Sequence, residues 1–320
     1  MRQSSTIQGV YNRLRRAASL ENVYAVHCCP LPRARCATKR ISLFKILESV
    51  VTMTKYFVFG SLLFGMLTSE LPAEETKRLL ILGQGPDGHP RETHEYLSGA
   101  TLVAKCLKEI PALETQIVNV QNDWLEGPQL LKEADGVFMF LAEGAKWIQE
   151  NPRRYDAFTQ LAARGGGLVV LHWGMGTREA KNIDGFVRLF GACHGGPDRR
   201  YKVVETRLEI SDPAHPVVTG VSAFDLREEF YFKLKRTRSQ PTIMPILQAN
   251  IENNLETVGW VWQRPDGGRS CGYSGGHFHD NWRHLEYRRL ISQAILWSLD
   301  LPIPATGIEA KVAEADFVIE

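Results

Sequence analysis

One segment constrains the fold more than any other: Gly167-Leu168-Val169-Val170-Leu171-His172-Trp173-Gly174. A short apolar run between turn signals reads as a strand buried on both faces. Such strands belong to parallel sheets covered by helices, and ligands of open α/β sheets bind beyond the carboxyl ends of the strands. His172 stands at that end, on a turn that opens into glycine. It is therefore the first candidate site residue.

The chain around it alternates accordingly. Hydrophobic patterning predicts strands over 78–82, 115–120, 136–141 and 168–171. It predicts helices over 94–110, 129–133 and 152–164, the first stopped by Pro111 and the last begun by Pro152. Strands alternating with helices over short links imply a mostly parallel sheet with helices on both faces. From Tyr201 the pattern changes to added strands over 201–210, 230–235, 244–248, 257–263 and 269–274, the first of them a candidate antiparallel strand. A helix over 286–299 closes the domain, with Leu290, Ala294 and Trp297 on one stripe. The residues after Pro302 are expected to form a surface tail.

The 320 residues carry a formal net charge of +2. Residues 1–73 hold ten Lys/Arg against three Asp/Glu, so the basic excess lies there and the remainder is acidic. No nucleic-acid partner is expected from such a balance. From Met53 the chain reads as a secretory signal peptide: Lys55, an apolar core from Tyr56 to Leu67, and a cleavage position after Ala73. The apolar run is short for a membrane span, so membrane contact is expected only through an uncleaved signal segment. Residues 1–52 read as a start assigned too early or as a basic leader. The organisation expected is thus 1–52 leader, 53–73 signal peptide, 74–303 α/β domain and 304–320 tail, in an exported protein. Cys106, Cys193 and Cys271 remain beyond the signal, an odd number that leaves at least one free thiol. Whether Cys193 pairs with Cys271 is not set by sequence.

Gly83-Gln84-Gly85-Pro86-Asp87-Gly88 matches the dinucleotide fingerprint by letter. Pro86 removes a phosphate-binding N–H and Pro90 interrupts entry to the helix. No nucleotide cofactor is expected, and the loop reads as a wall of the site. His89 and His94 lie within reach of that wall, although each also suits a surface or helix-start position. The strand-to-turn junction at His172 resembles a nucleophile elbow, but it offers neither Ser nor Cys. That argues against glutaminase, esterase and protease chemistry.

Further polar groups follow downstream. Cys193-His194 sits among small residues, and His215 lies between Ala214 and Pro216, where a structural corner is an equal reading. In Glu228-Glu229-Phe230-Tyr231, strand alternation puts Glu229 and Tyr231 on one face and Glu228 on the other. In Gly275-Gly276-His277-Phe278-His279, an extended chain would put both histidines on one face. Imidazole and carboxylate groups suit zinc or a similar divalent metal. The same groups could serve as acid and base without one. Trp173 and Trp282 flank the histidines and are candidates for stacking on a sugar ring, whereas Trp260 and Trp262 read as core.

In order, Gly166 to His172, Leu189 to His194, His215 to Gly220, Glu228 to Tyr231, Gly275 to His277 and Ala294 to Trp297 resemble the ThuA-like (trehalose utilisation) family over residues 77–303. The resemblance implies a flavodoxin-like sheet related to class I glutamine amidotransferases, without their nucleophilic cysteine. It also implies a carbohydrate setting, including oxidised (3-keto) disaccharides or glycosides. The chain departs from the family's usual Asp-Glu before the tyrosine, having Glu228-Glu229. On this reading His172, His194, Glu229 and His277 bind a divalent metal or divide acid and base roles. Tyr231 and His279 orient hydroxyls, and Trp173 or Trp282 stacks on the ring. The partner is a small sugar, and self-association stays open. A non-catalytic sugar-binding or scaffold domain is the alternative.

Overall fold

The computed structural model describes residues 75–121 and 123–319. The leader and the signal segment fall outside them. Among the described residues, no helix is long and apolar enough to cross a membrane.

The first half is built of β1 (Lys77–Gly83), α1 (Tyr96–Leu107), β2 (Leu113–Asn119), α2 (Gly127–Glu133), β3 (Gly136–Met139), α3 (Gly144–Glu150), α4 (Pro152–Ala163) and β4 (Gly167–Leu171). All five residues of β4 are buried, as the apolar run predicts. The start of α4 is fixed locally: Pro152 is pre-set for the first turn, and the Asn151 side chain accepts from the Arg153 and Arg154 N–H groups. The first helix begins at Tyr96, two residues later than expected, because His94 takes a left-handed φ of 54°.

The second half comprises β5 (Gly176–Thr177), α5 (Ile183–Phe190), β6 (Ala192–Gly195), β7 (Arg200–Ile210), β8 (Phe224–Phe232), β9 (Lys235–Arg236), β10 (Met244–Ile251), β11 (Asn254–Gln263), β12 (Arg269–Tyr273) and α6 (Leu285–Ser298). The large sheet has the order β2-β1-β3-β4-β12-β11-β10-β7-β8. Pairing is parallel from β2 to β12 and antiparallel from β12 to β8. Taken in chain order, the parallel strands run 2-1-3-4-5, the flavodoxin-like arrangement. Strands β5, β6 and β9 form a small second sheet.

Alternation along β1 divides the core. Leu79 and Ile81 pack with Phe138, Ile291 and Ile295 on the side of α1 and α6. Leu80 and Leu82 pack with Val137, Phe158 and Leu161 on the other. Both faces of the central strands β3 and β4 are thereby covered, which is why their sequences are apolar throughout, whereas the edge strand β2 is largely polar and exposed.

The hydrophobic patterning does not predict helices α3 and α5. Each is short, at seven and eight residues, so periodicity has few turns in which to show. Gly144 opens α3 hard against the turn that carries His172: a Cβ there would lie 2.2 Å from the Gly174 carbonyl oxygen. We expect Gly144→Ala to displace that turn and cost about 1–3 kcal/mol, read as a lowered Tm together with a changed near-ultraviolet spectrum from Trp173.

The surface-tail expectation needs correction. Ile308 and Ala310 are each only 3% exposed. Their segment is tied to α6, with Arg289 Nε donating to the Ile308 carbonyl, Ile308 N–H donating to Gln293 Oε1, and Arg288 Nε donating to the Ala310 carbonyl. Long polar side chains on the helix add to an alternating apolar stripe of the tail, Ile308, Ala310 and Val312, that packs on the core.

Candidate active site

Three chain segments meet at the carboxyl ends of β1, β4 and β12. The loop after β1 brings Asp87, His89 and His94; the turn after β4 brings His172; the turn after β12 brings His277. Strand β8, although the last in the sheet order, contributes Glu229 and Tyr231.

His172 is wholly buried and has a φ of 48°. Left-handed backbone is uncommon outside glycine and tends to gather at functional turns. Its Nδ1 lies 2.9 Å from the Ser274 carbonyl oxygen, which can only accept. Nδ1 therefore carries the proton, and Nε2 presents a lone pair. The Tyr231 hydroxyl oxygen lies 3.0 Å from that nitrogen, its ring stacked on the imidazole.

His94 repeats the arrangement from the other side. Its Nδ1 lies 2.9 Å from Asp87 Oδ2, and the Tyr96 hydroxyl donates to the same oxygen at 2.7 Å. Burial raises the Asp87 carboxyl, but hydrogen bonds with His94, Tyr96 and His89 outweigh it and hold the group well below the usual carboxylate range. The ionised carboxylate fixes the His94 tautomer, leaving Nε2 unprotonated. That atom lies 3.0 Å from His172 Nε2.

Burial lowers both imidazole pKa values. It does so strongly for His172, where the neighbouring His94 adds to the effect, and only in part for His94, where Asp87 opposes it. Two neutral rings thus bring unprotonated nitrogens within 3.0 Å of each other, a short separation for two lone pairs. His277 completes a group of three rings, each offering a nitrogen within 4.8 Å of the others. Its buried Nδ1 has no hydrogen-bond partner, and its pKa is pushed down to about 4 by burial and by His94 and His89. Glu229 Oε1 lies 3.8 Å from His277 Nδ1 and 3.9 Å from His172 Nε2. Burial lifts the Glu229 carboxyl, with His89 opposing.

The ThuA family model, described as trehalose utilisation, matches residues 88–298. This chain belongs to the ThuA family. A putative ThuA-like protein from Bacteroides uniformis is similar in structure at 18% identity, TM-score 0.55, over 73% of this chain and 95% of its own. One from Parabacteroides merdae is similar at 15% identity, TM-score 0.53, over 77% and 100%. No curated protein matches in sequence.

In this ThuA-family chain, the residues expected at the site divide into two sets. His172, His277, Glu229 and Tyr231 come together. His194 does not join the nitrogen cluster: its ring stacks on Tyr231, centroids 3.8 Å apart and 9° from parallel, and burial followed by Arg199 pushes its pKa down to about 3. His279 is carried away because the chain turns into a short 3-10 helix at that residue, so it shares no face with His277. Its ring lies beside the tail near Phe317. Trp282 is 1% exposed and packs edge-on against Tyr287, leaving no ring face for a sugar. Trp173 is 6% exposed, edge-on to His194 and Tyr231, so its stacking role falls with it. His215 caps a 3-10 turn through Nδ1, the structural-corner reading.

Cys106, Cys193 and Cys271 are all free and buried, so no Cys193–Cys271 bridge forms. Burial raises the Cys193 thiol well above its ordinary value, and the thiol donates to the Met175 carbonyl.

In the sequence, Asp87 reads only as part of a loop and Glu228 only as the off-face neighbour of Glu229. Glu228 is fully buried and accepts from the Gly276, His277 and Glu229 N–H groups and from Asn281 Nδ2. It grips the turn that presents His277. The usable signal was Asn281, an amide placed just beyond the glycine turn.

Proposed function

We propose that this protein is an exported enzyme that cleaves an oxidised, 3-keto glycoside or disaccharide. The carbohydrate setting follows from the family. The observation that carries the chemistry is the convergence of the His94 and His172 Nε2 lone pairs at 3.0 Å. Export rests on the signal-like sequence from Met53 to Ala73.

The donor set fits a divalent first-row cation such as zinc. Each of the two Nε2 atoms is backed through Nδ1 by a carboxylate or a carbonyl, and the His277 Nδ1 is buried and unpartnered. His94, His172 and His277 would hold the ion, with Glu229 beside them. When bound, such a cation polarises a carbonyl as a Lewis acid.

The chain's own groups supply the proton chemistry. A 3-keto group acidifies the neighbouring C2–H. Glu229, a half-buried carboxylate at the edge of the cluster, takes that proton. The C–H electron pair forms the C1–C2 double bond and expels the glycosidic oxygen at C1. Tyr231, held protonated by burial, is the donor nearest the cluster for that oxygen. Water then adds at C1 and a proton returns to C2, so the net result is hydrolysis. Asp87 and the Ser274 carbonyl hold the two imidazoles in the tautomers this requires.

The test is metal content beside turnover. We expect about one equivalent of zinc or manganese in the purified protein, lost in His94→Ala and His277→Ala, with cleavage of 3-keto-trehalose and not of trehalose. Metal-free protein after reconstitution would return the imidazoles to acid–base duty alone. Failure to cleave the keto-sugar would overturn the substrate assignment.

A further inference from the structure

With Trp173 and Trp282 buried, the site needs another surface for the rest of a sugar. Strand β7 runs antiparallel to β8, with Tyr201 opposite Tyr231 and Val203 opposite Glu229. Directly opposed residues share a sheet face. Tyr201 and Val203 therefore stand on the face that carries two site residues, one strand away, about 5 Å. Tyr201 is 59% exposed and Val203 39%.

A ladder of rings links this surface to the buried cluster. His172 stacks on Tyr231 with centroids 4.4 Å apart, Tyr231 stacks on His194 at 3.8 Å, and His194 meets Tyr201 edge-on at 6.4 Å. The first three rings are closed to solvent, and the fourth is open. A lone exposed apolar residue has no meaning by itself. Here an aromatic and a β-branched residue stand two positions apart on one strand, on the face that carries Glu229 and Tyr231.

We propose that Tyr201, flanked by Val203, is the platform on which the second ring of a two-ring substrate stacks, the ring that departs with the glycosidic oxygen. The proposal rests on the oxidised-glycoside reading above. It makes Tyr201 a specificity-determining residue that reads the leaving group and leaves the bond-breaking groups untouched.

The experiment compares a two-ring substrate, 3-keto-trehalose, with a one-ring substrate, methyl 3-keto-α-glucoside, in the purified protein. Tyr201→Ala is expected to raise KM for the two-ring substrate about tenfold, the scale of one lost stacking contact, with kcat unchanged. KM for the one-ring substrate should not move, and Tyr201→Phe should behave as the unmodified protein. An unchanged KM for the two-ring substrate, or an equal rise for both, would overturn the platform. If the unmodified protein cleaves neither, the proposed reaction falls, and tryptophan-fluorescence titration with trehalose and methyl glucoside reads the platform instead. A preference for trehalose that Tyr201→Ala erases would support it, and equal or absent binding would overturn it.

Discussion

Replacing His172 with alanine is expected to lower turnover by about 10³-fold or more, while the protein stays folded. The imidazole is the hub of the cluster. Its Nε2 faces His94 and the Tyr231 hydroxyl, and its Nδ1 is bound to the Ser274 carbonyl. Removing it takes away one nitrogen of the converging pair. The buried Ser274 carbonyl and Tyr231 hydroxyl each lose a neighbour, at about 1–3 kcal/mol apiece. A domain of this size shifts by about 2–4 °C per kcal/mol, so Tm should fall by roughly 5–20 °C. Turnover measured beside a melting curve checks both halves. Activity within about tenfold of the unmodified protein would remove His172 from the chemistry.

The sequence reveals the scaffold more readily than the site, for a physical reason. Strand β4 and helix α4 are specified within a few residues: an apolar run in one case, Asn151-Pro152 in the other. The end of β4 places His172 by topology alone. The partner of His172 is harder to see. His94 lies 78 positions away and stands just before a helix, where a histidine has ordinary uses. Only its left-handed backbone and its tie to Asp87 turn it inward, and neither is written in local periodicity. The same limit misplaces His279. Alternation assigns it the face of His277, but Gly275 and Gly276 turn the chain and a 3-10 helix starts at His279. Aromatics mislead in the opposite sense. Trp173 and Trp282 adjoin site histidines in sequence, yet large apolar rings gain most from burial, and the exposed ring belongs to Tyr201 on an antiparallel strand.

Glu228→Gln should cost about 2–4 kcal/mol at pH 5, because an amide nitrogen, unlike either carboxyl oxygen whether protonated or not, accepts no hydrogen bond. Four groups converge on the Glu228 carboxylate and every one is a donor: the N–H groups of Gly276, His277 and Glu229, and Asn281 Nδ2. The Asn281 amide cannot turn over to help, because Nδ2 also donates to the Arg227 carbonyl. A glutamine would set its own NH₂ against two of these donors and release the turn carrying His277. The pH dependence separates this from a packing defect. Burial lifts the Glu228 carboxyl from 4.5 to about 7, despite the donors that lower it. A group raised on folding binds more protons in the folded state, so its contribution is complete below about pH 4.5 and is lost as pH rises through 7. The buried histidines act oppositely, since their lowered pKa values favour unfolding as pH falls below 6.5. The difference between the unmodified protein and Glu228→Gln cancels the histidines. It should shrink by up to about 3 kcal/mol between pH 5 and pH 8, measured by chemical denaturation at each pH. A difference independent of pH would mean that Glu228 stays ionised throughout and acts only as an acceptor for its four donors.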